Sequence, residues 1–507
     1  VQYQYIHYWN GPRQYQLSFG NNRRAGYYPN ADAMYVLLMG LAAELYDDEN
    51  YALRAHEFTR YLENKLLPGG GFNYMHRTCD MPSYHSLVVT CLARYHEISG
   101  DSLALHLVKE SREYYPLTLA PSGITEKTPH PYWKRQMGIS TGPDPMDIVA
   151  SISGEGRNKY LAQQKYPPGI SVIAVDYWTD NVKPVEPATD ITFEDPNING
   201  FRGRFGDFTW LGMLGHGNAV DAFGGAMISE FGDGKSQLYG MLELITPEIG
   251  ISENRSDDIR YAYTTGPAYA GDYCLTDGFG ALAVTYQPYY PWKSQFDLSQ
   301  NALQPLPWEI TQFWLMLPDG VLASVTLKNK GNKTIAKART SIRVHPYKSL
   351  KQLDVNTFIA RKLRLKLLNN DFSSLNTGRT EQRGKVFSPE RMGDEIFLTS
   401  DKTVFNLNDK LNMQIAVFPE GKDVHYQLEQ KTIDEMPALK IQGDKSSFLL
   451  VFNPTGKPKP LKTVEKDTWS LVDIKQNVEN ITRMNGAKQQ VPAETLIVFR
   501  AKVQNNE

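Results

Sequence analysis

The sequence predicts an α+β protein of several domains, with stacked helical hairpins in the N-terminal part and an antiparallel β-sandwich after them. Three observations support this. Apolar residues recur at helical spacing within residues 28–117. Two hairpins in that region are alike in sequence, and from about residue 170 short β-type runs alternate with turn residues. Because helices come first and strands later, a doubly wound sheet is not expected.

The first hairpin is predicted from residue 30 to about residue 66. Asn30 follows Tyr28-Pro29 and is a good N-cap. Residues at helical spacing continue this helix: Met34, Leu37, Leu38, Leu41 and Leu45. The second helix carries Leu53, Phe58, Leu62 and Leu66, and the Pro-Gly-Gly-Gly run at residues 68–71 ends it.

The second hairpin has its own start signals. Pro82 or Ser83 opens its first helix, and Asp101 caps its second. Shorter helices are expected near residues 145–152 and 157–164.

The two hairpins repeat. Leu41-Ala42 in the first corresponds to Leu92-Ala93 in the second, 51 residues later, and Ala52-Leu53 corresponds to Ala104-Leu105, 52 residues later. A repeat of this period implies stacked helix pairs, as in a solenoid or a closed α/α toroid. Two or three hairpins are few for a stable array, so we expect this part to be incomplete at its N-terminal side.

The remainder of the chain consists of short runs suited to sandwich strands. They are residues 170–175, 226–228, 279–286, 313–317, 321–327, 342–345, 396–399, 413–418, 448–452 and 496–499. We expect a helical domain at residues 1–165 and a β-sandwich at 166–395. Residues 396–507 are expected to form a C-terminal part of that sandwich or a small second β-domain.

Charge and aromatic content narrow the classes of partner. The 507 residues include 54 Lys and Arg and 56 Asp and Glu, a formal net charge of −2. This leaves no bulk positive field for nucleic acid or an anionic membrane, so an anionic partner needs a local patch. The 29 Tyr, 21 Phe and 8 Trp either fill β-cores or offer flat faces to sugar rings.

The cysteines and the apolar runs give little further information about the fold or the location of the protein. Cys79, Cys91 and Cys274 are too few for a disulfide framework, although one pair is possible. We expect no membrane span, since no run approaches about 18 apolar residues. The chain begins with Val1, without an initiator Met or a signal peptide, so we expect that an upstream segment has been removed.

One candidate site lies at the helix starts. Asn30 and Tyr84 are 54 residues apart, close to the repeat period, so both should lie at the same end of neighbouring helices. The loop before Tyr84 carries His76 and Arg77, and His85 follows it. The alternative is that Tyr84 and His85 only pack at the start of a helix.

A second candidate lies in the β part. His216 stands between Gly215 and Gly217, where backbone can approach a ligand closely, although glycines also mark plain turns. Upstream, Arg202 and Arg204 supply guanidinium groups suited to carboxylate or sulfate.

These residues in this order resemble the heparinase II/III and alginate-lyase group of polysaccharide lyases, over roughly residues 20–240. The group has an α/α toroid followed by an antiparallel β-sandwich. Its active site combines an Asn at a helix start, a Tyr-His about one hairpin later and a His in a Gly-His-Gly type stretch. The resemblance assigns these roles to Asn30, Tyr84 with His85, and His216 with Asp221.

The chain also departs from that group. Many members have a His directly after the Asn, whereas this chain has Ala31, so the partner would be His76, Arg77, Arg23 or Arg24. The group's toroid extends far upstream of the Asn. Some members bind a structural zinc near the sandwich His; here only His345 and His425 follow His216, so we predict no zinc site.

The resemblance implies β-elimination from a uronic-acid-containing polysaccharide. The proton on C5 is weakly acidic because the adjacent carboxylate is already negative, so neutralising that carboxylate is the main task. Asn30, with an Arg or a cationic His, suits that role. Tyr84 is the expected base and acid, with its pKa, ordinarily about 10, lowered by Arg77 or a His. His216 is the alternative base.

The same interpretation predicts an anionic polysaccharide as partner, no nucleic acid, and a periplasmic or secreted location. It requires no cofactor; a structural metal ion is left open, although the sequence does not support one. No acidic cluster has calcium-ligand spacing. One rival is a glycoside hydrolase, which needs two facing carboxylates. Its candidates are Asp32, Asp80, Asp144, Asp147 and Asp221. The other rival is a non-catalytic glycan-binding protein.

Overall fold

The structure is a computed structural model, and it describes most of the chain with gaps. The described residues are 29–73, 82–119, 145–165, 181–198, 200–206, 208–214, 228–232, 237–245, 260–261, 270–287, 289–291, 303–345, 348–379, 394–422, 425–444, 446–462, 469–472 and 490–502. They divide into two compact units. The helical unit takes those up to residue 188 and residues 195–198, and the β unit takes the others.

The helical unit contains the predicted hairpins. Its described helices are α1 (Pro29–Tyr46), α2 (Glu49–Glu63), α3 (Pro82–Ser99), α4 (Ser102–Glu110), α5 (Tyr114–Thr118), α6 (Met146–Ser153) and α7 (Gly156–Lys165). A 3-10 turn, Ser111–Glu113, joins α4 to α5. The two short helices expected near residues 145–152 and 157–164 are confirmed as α6 and α7.

Helix ends follow local capping chemistry. Asp101 accepts hydrogen bonds from the backbone N–H groups of Leu103 (2.8 Å) and Ala104 (3.0 Å), as the sequence predicts for α4. Asn30 is not the N-cap of α1, however, because the helix already begins at Pro29. Proline is favoured in the first helical position, where its fixed φ and missing N–H cost nothing.

The buried face of α1 differs from the one that its leucines occupy. Met34, Leu41 and Leu45 are 39%, 40% and 71% exposed. The large buried side chains of the helix are Tyr35, Val36 and Met39. Because α1 is apolar on all sides, the spacing of its leucines predicts the helix but cannot choose the buried face.

Helix α1 packs against both α2 and α3. The ring of Tyr35 lies 4.4 Å from that of Phe58 in α2. On the other side, the ring of Tyr95 in α3 lies directly on Gly40, where any side chain would collide with it. This glycine therefore lets α1 and α3 approach closely.

The strands come after the helices, as predicted. They are β1 (Ile191–Asp195), β2 (Gly200–Phe205), β3 (Phe208–Met213), β4 (Ile228–Gly232), β5 (Gln237–Ile245), β6 (Arg260–Tyr261), β7 (Ala270–Thr276), β8 (Phe279–Tyr286), β9 (Tyr289–Pro291), β10 (Leu303–Pro305), β11 (Trp308–Leu317), β12 (Gly320–Asn329), β13 (Lys333–Ile335), β14 (Lys337–His345), β15 (Leu350–Gln352), β16 (Thr357–Ala360), β17 (Leu363–Asn370), β18 (Ser374–Arg379), β19 (Asp394–Thr399), β20 (Val404–Asn406), β21 (Lys410–Pro419), β22 (Tyr426–Ile433), β23 (Met436–Gly443), β24 (Ser446–Asn453), β25 (Lys459–Pro460), β26 (Ser470–Leu471), β27 (Gln490–Val491) and β28 (Thr495–Lys502). The predicted run at residues 170–175 lies outside the described residues.

Among the described residues, 22 of these strands form three large sheets and the other six form three two-stranded sheets, and the registers described between paired strands are antiparallel. A nine-stranded sheet has the order β1-β2-β3-β4-β5-β14-β19-β18, with β6 beside β5. An eight-stranded sheet has the order β15-β16-β17-β21-β12-β11-β8-β7, and a five-stranded sheet the order β22-β23-β24-β28-β26. The α+β fold class is confirmed, while closure of the hairpins into a toroid stays a prediction.

The eight-stranded sheet is the middle layer of the β unit. Along β12, Val321, Ala323 and Val325 belong to one core with residues of the nine-stranded sheet such as Ile342. Leu322 faces the other way, into a second core with Leu450 and other residues of the five-stranded sheet. Successive side chains of a strand point to opposite faces, so both faces of this sheet are covered.

The expected domain ranges stay predictions, and strands near the expected boundaries pair as follows. The expected division between residues 395 and 396 falls inside β19, and β21 lies within the eight-stranded sheet. Strands on the two sides of that position therefore share sheets, and the five-stranded sheet begins at β22. The helical unit also extends beyond residue 165, since it includes residues 181–188 and 195–198.

Cys91 and Cys274 are free and buried, and burial raises the pKa of each thiol to about 12. These two cysteines form no pair with each other, and Cys79 lies outside the described residues. In the part of the chain that the structure describes, no helix is both long and apolar enough to cross a membrane.

Candidate functional site

The first turn of α1 lies at the same end of the hairpin as the last residues of α2. The two helices are joined at Asp47 and Asp48, so they run antiparallel. Lys65, just after α2, shows the proximity. Burial lowers the pKa of its side chain, and the nearby charge of Asp32 in the first turn of α1 acts in the opposite direction.

The first turn of α3 lies at this end too. Phe72, eight residues after Asn64 at the end of α2, has its ring 5.7 Å from that of His85 in α3. The starts of α1 and α3 therefore share one end of the helical unit, which we call the site end. It carries Asn30 as the second residue of α1 and Tyr84 as the third of α3.

Asn30 offers an amide in a buried position. The Oδ1 atom is buried and has no hydrogen-bond partner among the described residues. Leaving such an atom unpaired costs about 1–3 kcal/mol. A rotation of the amide by 180° exchanges its oxygen and nitrogen, so the side chain can present either a donor or an acceptor there.

Tyr84 and His85 are adjacent in sequence but differ in environment. The Tyr84 side chain is partly exposed, whereas His85 is 0% exposed. The ring of His85 stacks on Tyr114 with the centroids 3.7 Å apart, and Tyr115 meets it edge-on at 5.3 Å. With Phe72 on a further side, these rings form the aromatic cluster of the site end.

This burial corrects the expectation that His85 binds substrate directly. Burial lowers the pKa of His85 well below its usual value, so the ring is neutral. Neither ring nitrogen has a hydrogen-bond partner among the described residues. His85 therefore anchors the start of α3 by packing, which agrees with the alternative reading for this residue.

Asn197 holds the loop that precedes the aromatic cluster. Its Oδ1 accepts a hydrogen bond from Gly71 N (2.9 Å), and its Nδ2 donates one to Gly69 O (3.2 Å). Asn197 is 5% exposed. The two bonds fix the loop at Gly69 and at Gly71, and Gly71 directly precedes Phe72.

Arg202 and Arg204 are buried rather than open to a ligand. They are 1% and 3% exposed and lie on one face of β2, two residues apart. The guanidinium of Arg204 lies 5.1 Å from the ring centroid of Phe193. The protein itself covers both cations, so the expected grip on a substrate anion is not available in this structure.

Two of the five carboxylates named for a hydrolase, Asp32 and Asp147, lie among the described residues. Asp32 and Asp147 are 0% and 2% exposed, and burial raises the pKa of Asp147. Asp80, Asp144 and Asp221 lie outside the described residues. Across the described ranges, no group of three or more His, Cys, Asp or Glu side chains could hold a metal ion.

Several predicted site residues also lie outside the described residues. They are Arg23, Arg24, His76, Arg77 and His216. Their roles stay predictions from the sequence.

The sequence did not point to Tyr114, Tyr115 or Asn197. The Tyr-Tyr pair after α4 and the three glycines at residues 69–71 are visible signals of close packing. The sequence does not show which residues they contact, because Asn197 lies 126 residues from Gly71 along the chain.

Comparison with known proteins gives structural neighbours of low identity. No family model and no curated protein matches the chain. A variant of chondroitin AC lyase from Streptomyces coelicolor A3 is 9% identical, with a TM-score of 0.48, over 96% of this chain and 78% of that one. Heparan sulfate lyase from Pedobacter heparinus is 10% identical, with a TM-score of 0.33, over 88% and 78% of the two chains.

A chondroitinase AC lyase solved with oligosaccharides is 9% identical, with a TM-score of 0.43, over 84% of this chain and 70% of that one. All three TM-scores are below 0.5. At these values the neighbours say nothing about individual side chains of this chain.

Proposed function

We propose that this protein is a polysaccharide lyase that cleaves a uronic-acid-containing polysaccharide by β-elimination. The observation that supports the proposal is the placement of an amide, Asn30, and a partly exposed phenol, Tyr84, in the first turns of two helices that begin at the same end. These are the two groups that the chemistry requires for charge neutralisation and proton transfer.

Asn30 is proposed to bind the uronate carboxylate. Removing the C5 proton builds a second negative charge on that group, and a donor already in place stabilises the charge as it develops. The Oδ1 atom of Asn30 is buried without a partner among the described residues. A 180° rotation of the amide puts Nδ2 at that position, where its N–H can donate to the carboxylate of a bound substrate.

Tyr84 is proposed to move the proton. Its phenolate takes the proton from C5, the electron pair forms the C4=C5 double bond, and the C4–O4 bond breaks. The phenol then returns a proton to the departing O4, which restores the phenolate. Proton transfer by a positioned side chain contributes about 10²–10⁴-fold to a rate.

The sequence supplies further groups for the same reaction. His76, Arg77, Arg23 and Arg24 are proposed to add positive charge near the carboxylate, and His216 to assist Tyr84 or replace it as base. The proposed reaction uses no cofactor. A periplasmic or secreted location suits a polymeric substrate.

The test is an assay on a panel of polymers: alginate, heparan sulfate, hyaluronan, chondroitin, ulvan and glucuronan. We expect at least one of them to give the ultraviolet absorbance of a C4=C5 unsaturated uronate. New reducing ends without that absorbance would support the glycoside hydrolase instead. Binding without any product would support the glycan-binding protein.

A further inference from the structure

The loop between α2 and the aromatic cluster is tightly folded. Leu66 and Phe72 form an antiparallel β-bridge. The backbone N–H of Leu67 donates to Gly71 O (2.7 Å), and that of Asn73 donates to Lys65 O (2.7 Å). The loop therefore has one defined backbone path into residue 73, and the segment that carries His76 and Arg77 starts there.

Asn197 is built into this loop from a distant part of the sequence. Its carboxamide donates to Gly69 O and accepts from Gly71 N, so one side chain satisfies two backbone groups of the loop. Its own backbone N–H donates to Asp195 Oδ1 (2.8 Å), and Asp195 is 1% exposed. We call Asn197 with its two bonds to Gly69 and Gly71 the clamp. The buried carboxylate of Asp195 thus holds the backbone of the clamp residue in place.

The glycines of the loop make this approach possible. A Cβ atom at Gly71 would lie 2.9 Å from Asn197 Oδ1, closer than real contacts allow, and one at Gly69 would collide with the same carboxamide. No other residue type fits under Asn197 without displacing it.

The clamp is connected to the start of α3 through rings. Tyr114 packs against Gly71, where an added Cβ would lie 2.9 Å from the ring, and it also stacks on His85. Phe72, next to Gly71, is 0% exposed and contacts His85 as well. His85 directly follows Tyr84 in α3. The position of the Tyr84 phenol therefore depends on the packing of His85 against Phe72 and Tyr114, which the bonds from Asn197 to the loop hold in place.

We propose that Asn197 is a positioning residue for Tyr84. It touches no reacting atom, and it fixes the loop and the aromatic cluster so that the phenol stays where proton transfer occurs. The inference rests on the proposed function, since it gives Tyr84 the role stated above. A displacement of about 1 Å at a reacting group can cost on the order of 100-fold in rate.

The test compares Asn197→Ala with Asn453→Ala. Asn453 is likewise buried, at 0% exposed, and donates from Nδ2 to the backbone oxygens of Lys457, Val491 and Pro492 in the β unit. We expect Asn197→Ala to lower kcat per folded molecule by about 10- to 100-fold with little change in KM. Asn453→Ala is expected to lower Tm and leave kcat per folded molecule unchanged.

A second arm places Asn197→Ala in a Tyr84→Phe background. Because Asn197 acts through Tyr84, the double variant should have the kcat of Tyr84→Phe alone. A further loss in the double variant, an unchanged kcat in the single variant, or equal losses of kcat in the two asparagine variants would each overturn the inference.

A third arm needs no substrate. Hydrogen exchange is measured on peptides that cover residues 66–73 and 84–95. Loss of a hydrogen bond worth about 1 kcal/mol should speed exchange by roughly fivefold in both peptides of Asn197→Ala. If wild-type protein yields no double bond from any polymer, the proposed function is wrong, and unchanged exchange at residues 84–95 separately rejects Asn197 as the support of α3.

Discussion

Tyr84 is a partly exposed phenol in the first turn of α3, next to a histidine that three rings hold in place. Tyr84→Phe removes the oxygen and keeps the ring, so we expect kcat to fall by at least about 100-fold while substrate binding persists. The matched control is Tyr51→Phe, at the other end of the hairpin in the first turn of α2. Activity near the wild-type level in Tyr84→Phe would remove Tyr84 from the mechanism.

Asn30 carries the second prediction at this scale. Asn30→Ala deletes the amide proposed to stabilise the developing charge, and the loss of one such donor costs about 10²–10³-fold in kcat. Asn50→Ala is the control, because Asn50 is also a first-turn asparagine but is exposed and bonds to Asp48. Thermal unfolding of both variants would show whether a loss of activity reflects the site or the fold.

Helix α4 depends on one carboxylate. Asp101 caps α4, accepts a hydrogen bond from Tyr95 (3.3 Å) and pairs with His56 (2.7 Å). Burial acts to raise the pKa of Asp101, but the hydrogen bonds from His56 and from the backbone at Ala104 and Leu103 outweigh it and the pKa is lowered. The ionised form therefore stabilises the fold.

We expect Asp101→Ala to lower the free energy of unfolding by about 1–3 kcal/mol at neutral pH. A group with a lowered pKa contributes stability that is present above its unfolded pKa of 3.8 and is lost as pH falls through the folded value. The difference between wild type and Asp101→Ala should thus shrink below about pH 4. A difference that is constant down to pH 2 would contradict this account.

The sequence predicts those features of helices and strands that depend on neighbouring residues. The Asp101 cap and the proline start of α3 depend on neighbouring residues, and both are correct. The buried face of α1 depends on the shape of α2 and α3, so the exposure of Leu45 was not foreseeable. The repeat in the sequence is enough to place Tyr84 and Asn30 at the same end of the helical unit. The burial of His85 under Tyr114 depends on packing between distant residues, so the sequence does not predict it.

At the scale of the molecule, the same limit applies to sheets. The runs that became β8, β12, β21 and β24 are visible as apolar segments of strand length. The order of these strands in the sheet is not visible, because β12 (Gly320–Asn329) pairs with β21 (Lys410–Pro419), with 80 residues between the two strands. The middle position of the eight-stranded sheet follows from those long-range pairings.

Asp272 joins two of these sheets. It lies in β7 of the eight-stranded sheet, and its Oδ2 accepts a hydrogen bond from Leu496 N (2.8 Å) in β28 of the five-stranded sheet. Burial raises its pKa from 3.8 to about 6, although the hydrogen bonds from the backbone of Leu496 and Tyr273 act to lower it. The protonated form is therefore the one that the fold favours.

A raised carboxyl pKa contributes stability that is fully present below pH 3.8 and is lost as pH rises through about 6. The size is on the order of 3 kcal/mol at most, since one unit of pKa corresponds to about 1.4 kcal/mol. Asp272→Asn cannot titrate, so Tm measured from pH 4 to pH 7 should vary less in this variant than in wild type. Parallel Tm curves would show that Asp272 does not titrate in this range.

The middle sheet also sets the order in which the β unit can assemble. Val321 must meet Val417, and closing so long a segment of chain is slow compared with local hairpin formation. The second face of that sheet is covered by strands that end near residue 500, including β28. During synthesis its apolar strands therefore emerge long before their cover exists, and that interval is when the nascent chain is most exposed to aggregation and most in need of a chaperone.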